Sequence, residues 1–144
     1  AFSAKVRDVT EWLDAVWPEE LPLRHAPVPA TYHDPCHLGN LQNVRSQPRR
    51  LLARVEGLEL RPLPDSHPVR CCGSAGIYNL THTPMALSLL DRKMAGVAAT
   101  GAELVVSANP GCLMQLEWGR RRTGAKVEVK HLVQVLDESL IGHG

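Results

Sequence analysis

Hydrophobic residues recur every three or four positions between Ser3 and Trp17. This spacing is typical of an amphipathic helix, which Pro18 would end because proline removes a backbone donor. Four prolines between Pro18 and Pro29 predict an irregular connector. Residues 1–29 are therefore expected to form a helix and a proline-rich connector ahead of the main body of the chain.

Beyond residue 29, short strand-like segments alternate with longer helical ones. Breakers such as Asp34-Pro35 and Asn109-Pro110-Gly111 separate the segments, Gly57 is a candidate C-cap, and Thr83 followed by Pro84 is a helix-start pattern. The predicted strands are Ala30–His33, Leu58–Leu63, Leu104–Ser107 and Lys126–Val129. The predicted helices are Gln47–Val55, Met85–Ala99, Cys112–Arg122 and His131–Leu140.

Strands that alternate with helices favour a parallel sheet, because each return crossing runs through a helix on one face. The predicted fold class is therefore α/β: a three-layer domain with a mainly parallel four-stranded sheet flanked by helices. A length of 144 residues suits one such domain, here spanning residues 1–144.

Composition argues against nucleic acid and a membrane as direct partners of the chain. With 22% charged residues and a net charge of +1, the chain lacks the basic field that nucleic-acid binding usually requires. No apolar run approaches the roughly 18 residues of a membrane span, and the first residues do not resemble a signal peptide. We therefore expect no nucleic-acid partner, no transmembrane segment and a cytoplasmic location.

The four cysteines of the chain each follow a predicted strand. Cys36 follows the first strand, Cys71 and Cys72 lie in a loop after the second, and Cys112 opens the helix after the third. Ligands of open α/β sheets bind outside the carboxyl ends of the strands, so these thiols are expected to converge. Thiolates suit soft metal ions and iron-sulfur clusters, although four small buried side chains remain an alternative interpretation.

Two histidines bracket Cys36. His33 and His37 are candidates for auxiliary metal ligands or for hydrogen bonds to a thiolate, because imidazole serves both purposes. The simpler role for each histidine is to form hydrogen bonds with backbone groups of the loop.

Three segments together suggest a family: Thr31-Tyr-His-Asp-Pro-Cys-His-Leu-Gly39, Cys71-Cys-Gly-Ser-Ala-Gly-Ile-Tyr-Asn-Leu80 and Asn109-Pro-Gly-Cys-Leu-Met-Gln115. The chain resembles the cysteine-rich CCG domain family, which includes a cysteine-rich subunit of heterodisulfide reductase. The iron-sulfur members of the family serve glycolate, lactate and some succinate oxidoreductases. From about Thr31 onward, the motif series is similar to the carboxy-terminal region of glycolate oxidase iron-sulfur subunits.

The resemblance implies an electron-transfer domain in which Cys36, Cys71, Cys72 and Cys112 hold an iron-sulfur cluster of the 4Fe-4S type. It also implies flavin-containing partner subunits and a preceding ferredoxin-like part, so we expect the chain to be a C-terminal fragment of a larger subunit. Contact with the inner face of a membrane would then come only through the complex. The isolated domain is not expected to oxidise glycolate, and an oxygen-sensitive cluster can be absent from it.

One position departs from the full family pattern. Gln115 stands where a CxxC motif would place a second cysteine after Cys112. Two alternatives therefore stay open: a structural or assembly domain that holds zinc or no metal, and a thiol redox domain like that of heterodisulfide reductase. The last of these would need a thiolate that forms well below the usual thiol pKa of about 8.5.

Overall fold

The computed structural model describes residues 2–64 and 71–141. A short 3₁₀ helix spans Phe2–Lys5. The strands are β1 (Leu23–His33), β2 (Val55–Leu60), β3 (Leu104–Ser107) and β4 (Glu128–His131). The helices are α1 (Val9–Val16), α2 (Cys36–Leu41), α3 (Ser46–Ala53), α4 (Tyr78–Thr81), α5 (Thr83–Thr100), α6 (Pro110–Thr123) and α7 (Leu132–Glu138).

The four strands form one parallel sheet in the order β2-β1-β3-β4. β1 pairs with β2 on one side and with β3 on the other, where Ala30 lies opposite Leu104 and His33 opposite Ser107. The chain runs outward from β1 to β2 and then returns across β1 to β3. The carboxyl ends of β1 and β3 therefore form a topological switch point, the position at which open α/β sheets bind ligands.

Helices cover both faces of the sheet, which confirms the predicted three-layer α/β architecture. β3 needs cover on both faces because its side chains alternate between two cores. Leu104 and Val106 belong to one core, and Val105 belongs to the other. The first core includes Leu51 and Leu52 of α3 and Val135 and Leu136 of α7. The second core packs Leu90, Met94 and Val97 of α5 against Leu116 of α6.

The proline-rich connector is shorter than predicted. It was expected to extend to residue 29, but β1 already begins at Leu23. The register of β1 against β2 shifts between Arg24 and Val28, and this irregularity contains Pro27. Pro29 has no N–H to donate, yet its carbonyl accepts a hydrogen bond from the Glu103 N–H at 2.8 Å. Strand pairing thus survives two prolines because their carbonyls can still accept hydrogen bonds and the register adjusts around them.

Two helical predictions also need correction. The helix predicted between Ser3 and Trp17 is interrupted. Asp8 is the N-cap of α1, and its side chain accepts a hydrogen bond from the Thr10 N–H at 2.8 Å. Gly57 is not a helix C-cap but an interior residue of β2, with φ of +97°. A Cβ atom there would lie 2.2 Å from the His25 carbonyl oxygen, so glycine is required by a close strand contact.

The other predicted helices agree closely with the observed ones, whereas α2 and α4 were not predicted. α5 has Pro84 in its first turn and ends at Gly101, which adopts the left-handed conformation of a C-cap. α6 is capped by Asn109, whose side-chain oxygen accepts the Cys112 N–H at 3.1 Å. Within residues 2–64 and 71–141, no helix combines the length and apolar character needed to cross a membrane.

Candidate metal centre

The four cysteines lie together at the carboxyl end of the sheet, as their positions in the sequence predicted. Cys36 is the first residue of α2, directly beyond β1, and Cys112 lies in the first turn of α6, directly beyond β3. Cys71 and Cys72 enter from the loop that precedes α4. All four are free thiols, with Cys72 and Cys112 buried and the other two partly exposed.

The four cysteines converge on one place in the fold. All four line one cleft, and the sulfurs of Cys72 and Cys112 lie within 4.8 Å of each other. They come from three separate parts of the chain, so the thiols are not four unrelated core residues. Such convergence is what a polydentate soft-metal site requires.

The contacts between thiols and their burial oppose ionisation. Hydrogen bonding to Cys112 is the largest of the effects that raise the pKa of Cys72 to about 12. The hydrogen bond with Cys72 and burial raise the pKa of Cys71, and burial raises that of Cys36. Without a cation these thiols are neutral near pH 7, which is opposite to the state of a reactive thiolate. A bound metal ion would reverse this, because a coordinating thiol is deprotonated by the metal.

The residues that follow the cysteine pair are small, so the loop backbone can come close to the cysteine sulfurs. Gly73 donates its N–H to the Cys71 sulfur at 3.3 Å. Ser74, Ala75 and Gly76 continue the loop with small side chains. Together they line an open cleft of about 680 Å³ beside the cysteines. Its other lining residues are His37, Asn40, Leu41, Asn109 and Gly111.

The two candidate histidines have different environments. His33, the last residue of β1, is 1% exposed, and neither ring nitrogen has a hydrogen-bond partner within the described chain. One of its nitrogens and the sulfurs of Cys72 and Cys112 all lie within 4.8 Å of one another. His37 lies in the cleft wall, and its Nε2 is 3.1 Å from Gln42 Nε2.

Burial lowers the pKa of His33 to about 3, so its ring is neutral and retains a lone pair. Buried polar atoms are nearly always hydrogen-bonded in folded proteins. The unpaired nitrogens of His33 beside two thiols are donor atoms of the kind that soft cations bind. Among the residues described, His33, Cys72 and Cys112 bring their ligand atoms close enough for one metal ion, and Cys36 and Cys71 line the cleft beside them. Thiols and a neutral imidazole are ligands that suit a soft metal ion or an iron-sulfur cluster.

Two further residues are buried on α5 and α6: Gln115, which the sequence marked only as a departure from the CxxC pattern, and Lys93, which sequence reasoning missed. Gln115 is 3% exposed and its Nε2 has no partner among the residues described. That nitrogen would lie 3.2 Å from a Cβ atom at Gly73, so the amide reaches the cysteine loop. Lys93 of α5 is likewise 3% exposed. A charged residue within the apolar stripe of Ala86, Leu90 and Val97 was the available signal for Lys93.

The fold and the thiol cluster define an α/β domain with a cysteine-rich site at its switch point. A family model described as "Cysteine-rich domain", named CCG, matches residues 30–117. The chain belongs to this family, and the matched segment contains all four cysteines.

Several curated proteins are similar over much of the chain. The "Probable glycolate oxidase iron-sulfur subunit" of Bacillus subtilis (strain 168) is 40% identical over 146 residues, covering 99% of this chain and 32% of that protein. "Lactate utilization protein A" of Geobacillus thermodenitrificans is 34% identical, covering 94% of this chain and 56% of that protein. The protein of the same name from Shouchella clausii is 38% identical, covering 75% and 44%. The chain thus spans between a third and just over half of these relatives.

Proposed function

We propose that this chain is an electron-transfer domain whose cysteines hold an iron-sulfur cluster of the 4Fe-4S type. The ligands would be Cys36, Cys71, Cys72 and Cys112. The observation that carries the proposal is the convergence of all four cysteines on one cleft at the switch point, with the sulfurs of Cys72 and Cys112 within 4.8 Å of each other. A cluster held there would accept and release single electrons.

The residues around the thiols suit this role. The Gly73 N–H already bonds to a sulfur, and such donors stabilise thiolate charge. Cys112 lies in the first turn of a fourteen-residue helix, whose positive end also favours a thiolate. His33 would supply a further ligand or a hydrogen bond beside Cys72 and Cys112. The open cleft leaves Cys36 and Cys71 near the surface, where a partner can approach closely.

The relatives give the proposal its context. Their names refer to an iron-sulfur subunit of glycolate oxidase and to lactate utilization. We infer that this domain serves a glycolate-type 2-hydroxy-acid oxidoreductase, within a larger iron-sulfur protein that carries ferredoxin-like clusters. Flavin-containing subunits would deliver the electrons. We propose that this electron transfer takes place in the cytoplasm and that the domain contacts a membrane only through the complex.

The first experiment is anaerobic purification of the chain followed by assays of iron, acid-labile sulfide and zinc. The proposal predicts iron with matching sulfide, and a broad absorption band near ~400 nm from thiolate-ligated iron. Cys72→Ser should remove both. Ser74→Ala is the matched control, because Ser74 lines the same cleft without offering a thiol. A colourless wild-type chain without iron would overturn the proposal.

A single structural zinc ion is the second candidate. It is favoured by His33, Cys72 and Cys112, whose ligand atoms are close enough for one tetrahedral ion. One zinc per chain without sulfide would support this function. His33→Ala would then release zinc and unfold the domain at a lower temperature, whereas His37→Ala would do neither.

A further inference from the structure

Gln115 carries a buried amide that reaches the cysteine loop. It lies on α6, and only 3% of its surface is exposed. Its Nε2 has no hydrogen-bond partner among residues 2–64 and 71–141. A donor buried in this way has lost its hydrogen bonds to water without replacing them, which costs free energy. The Gln115 N–H is therefore a donor that is available to a bound group.

Contacts between α6 and the cysteine loop fix the place of this amide. Gln115 Nε2 would lie 3.2 Å from a Cβ atom at Gly73, the residue that follows Cys72. Ser74 Oγ would lie 3.1 Å from a Cβ atom at Gly111, in the first turn of α6. The loop and the start of the helix are thus in contact, and the amide reaches the loop from the α6 side.

Gln115 and Cys112 share one side of α6. They are three residues apart, a spacing at which helical side chains are neighbours, and both are buried. Met114 lies between them in sequence but is 75% exposed, so it points away from that side. The Cys112 sulfur in turn lies within 4.8 Å of the Cys72 sulfur. Gln115 therefore adjoins one candidate ligand along its own helix and, through Gly73, a second in the facing loop.

We propose that Gln115 donates a hydrogen bond from Nε2 to the group that the cysteines bind, and so makes that group easier to reduce. This inference rests on the proposed electron-transfer function. Hydrogen bonds to the sulfurs are among the features that set the reduction potential of an iron-sulfur cluster. Hydrogen bonds to charged acceptors are the stronger ones, so a donor favours the reduced cluster, which carries one more negative charge.

A residue that only fills space would behave differently. In the metal-free chain the Gln115 N–H has no acceptor among the residues described, so an apolar side chain of similar length should not lower stability. In the loaded chain the same replacement removes a hydrogen bond, so it should lower both the stability and the potential. A space-filling residue would change stability equally in both states and leave the potential unchanged.

The test compares the wild-type chain with Gln115→Met, which keeps the length but has no N–H donor. Met114→Leu is the control, because Met114 lies in the same turn but is exposed. Iron content, midpoint potential and urea unfolding are measured anaerobically, and unfolding is repeated after chelation. Gln115→Met should keep its iron and become about tenfold harder to reduce, which is about 59 mV for one electron. It should unfold at lower urea only when loaded, whereas Met114→Leu should match the wild type.

A spectroscopic measurement does not depend on the folding of Gln115→Met. With ¹⁵N in the glutamine side-chain amides, pulsed EPR of the reduced wild-type chain should detect a nitrogen coupled to the cluster spin. Gln42→Met should keep this coupling, because Gln42 is exposed and contacts His37 at the cleft wall. Loss of the coupling in Gln42→Met, or no coupling in the wild type, would contradict the proposed hydrogen bond.

Equal potentials in wild type and Gln115→Met would overturn the inference, as would equal destabilisation of the loaded and metal-free chains. These results leave the proposed function intact, because the wild-type chain would still carry its cluster. A wild-type chain without iron would overturn the proposed function and this inference together. The iron assay of the wild type therefore separates the two failures.

Discussion

Gly73 lies so close to Ala86 that a Cβ atom on the glycine would be 2.4 Å from the alanine carbonyl oxygen. The backbone of Gly73 also has φ of +91°, which L side chains rarely adopt. These two constraints place the cysteine loop directly on the first turn of α5. The loop that carries Cys71 and Cys72 is thus held by contact between backbones.

Gly73→Ala should therefore displace the cysteine loop and reduce metal binding. Gly76→Ala is the matched control, because Gly76 has φ of +62° but no described atom within 4 Å of its Cβ position. Both variants incur the left-handed backbone cost of about 1–2 kcal/mol. Only Gly73→Ala adds the clash, so it should lose more stability in urea unfolding and most of its iron. Equal iron content in the two variants would contradict this.

Gln115 provides a test of how many thiolates the site uses. It lies one helical turn after Cys112, is buried, and directs its amide toward Gly73. Gln115→Cys should add a fifth thiolate and change the EPR and visible spectra of the loaded chain. Met114→Cys is the control, since Met114 is 75% exposed. If the new thiol at position 115 reacts with a thiol reagent as readily as that at 114, the site does not use it.

The sequence predicted much of the fold because several elements carry their own local pattern. β3 is apolar on both faces and was predicted at its observed bounds, since burial in two cores leaves little ambiguity. β1 was predicted too short, because its prolines suggested irregular structure while pairing with two neighbours stabilises the strand. α2 and α4 were missed because six and four residues are too few to show a helical stripe.

The candidate site was predicted in outline but not in its electrostatics. Cysteines placed after successive strands indicate convergence, because parallel strands end at the same edge. His33 could be named from its proximity to Cys36, but its distance from Cys72 and Cys112 depends on the pairing of β1 with β3. The burial of Lys93 follows only from the packing of α5, which its own sequence position does not reveal.

Packing between α5 and α6 gives a prediction independent of any metal. A Cβ atom at Gly119 would lie 2.7 Å from Met94 Cγ and 2.8 Å from Leu90 Cδ1. Gly119→Ala should therefore destabilise the fold by about 1–3 kcal/mol, the usual cost of overpacking. In Gly119→Ala/Met94→Ala the clash with Met94 is removed and only that with Leu90 stays, so the double variant should lose less than the sum of the single variants. Additive losses in urea unfolding would contradict direct contact.

The arginine run at the end of α6 predicts a pH dependence. Arg120 Nη2 and Arg121 Nε lie 2.7 and 2.8 Å from Glu117 Oε1. Their hydrogen bonds lower the pKa of Glu117 from 4.5 to about 2. The ion pairs therefore stabilise the fold above pH 4.5, and this contribution is lost as the pH falls toward 2.

Glu117→Gln should be slightly less stable than wild type at pH 7, with the small difference expected of exposed pairs. Urea unfolding should show that difference shrinking at a pH of about 2 to 3 and in about 1 M salt, where the screening length is ~3 Å. An unchanged difference at low pH would mean that Glu117 stabilises the helix by packing, without its charge.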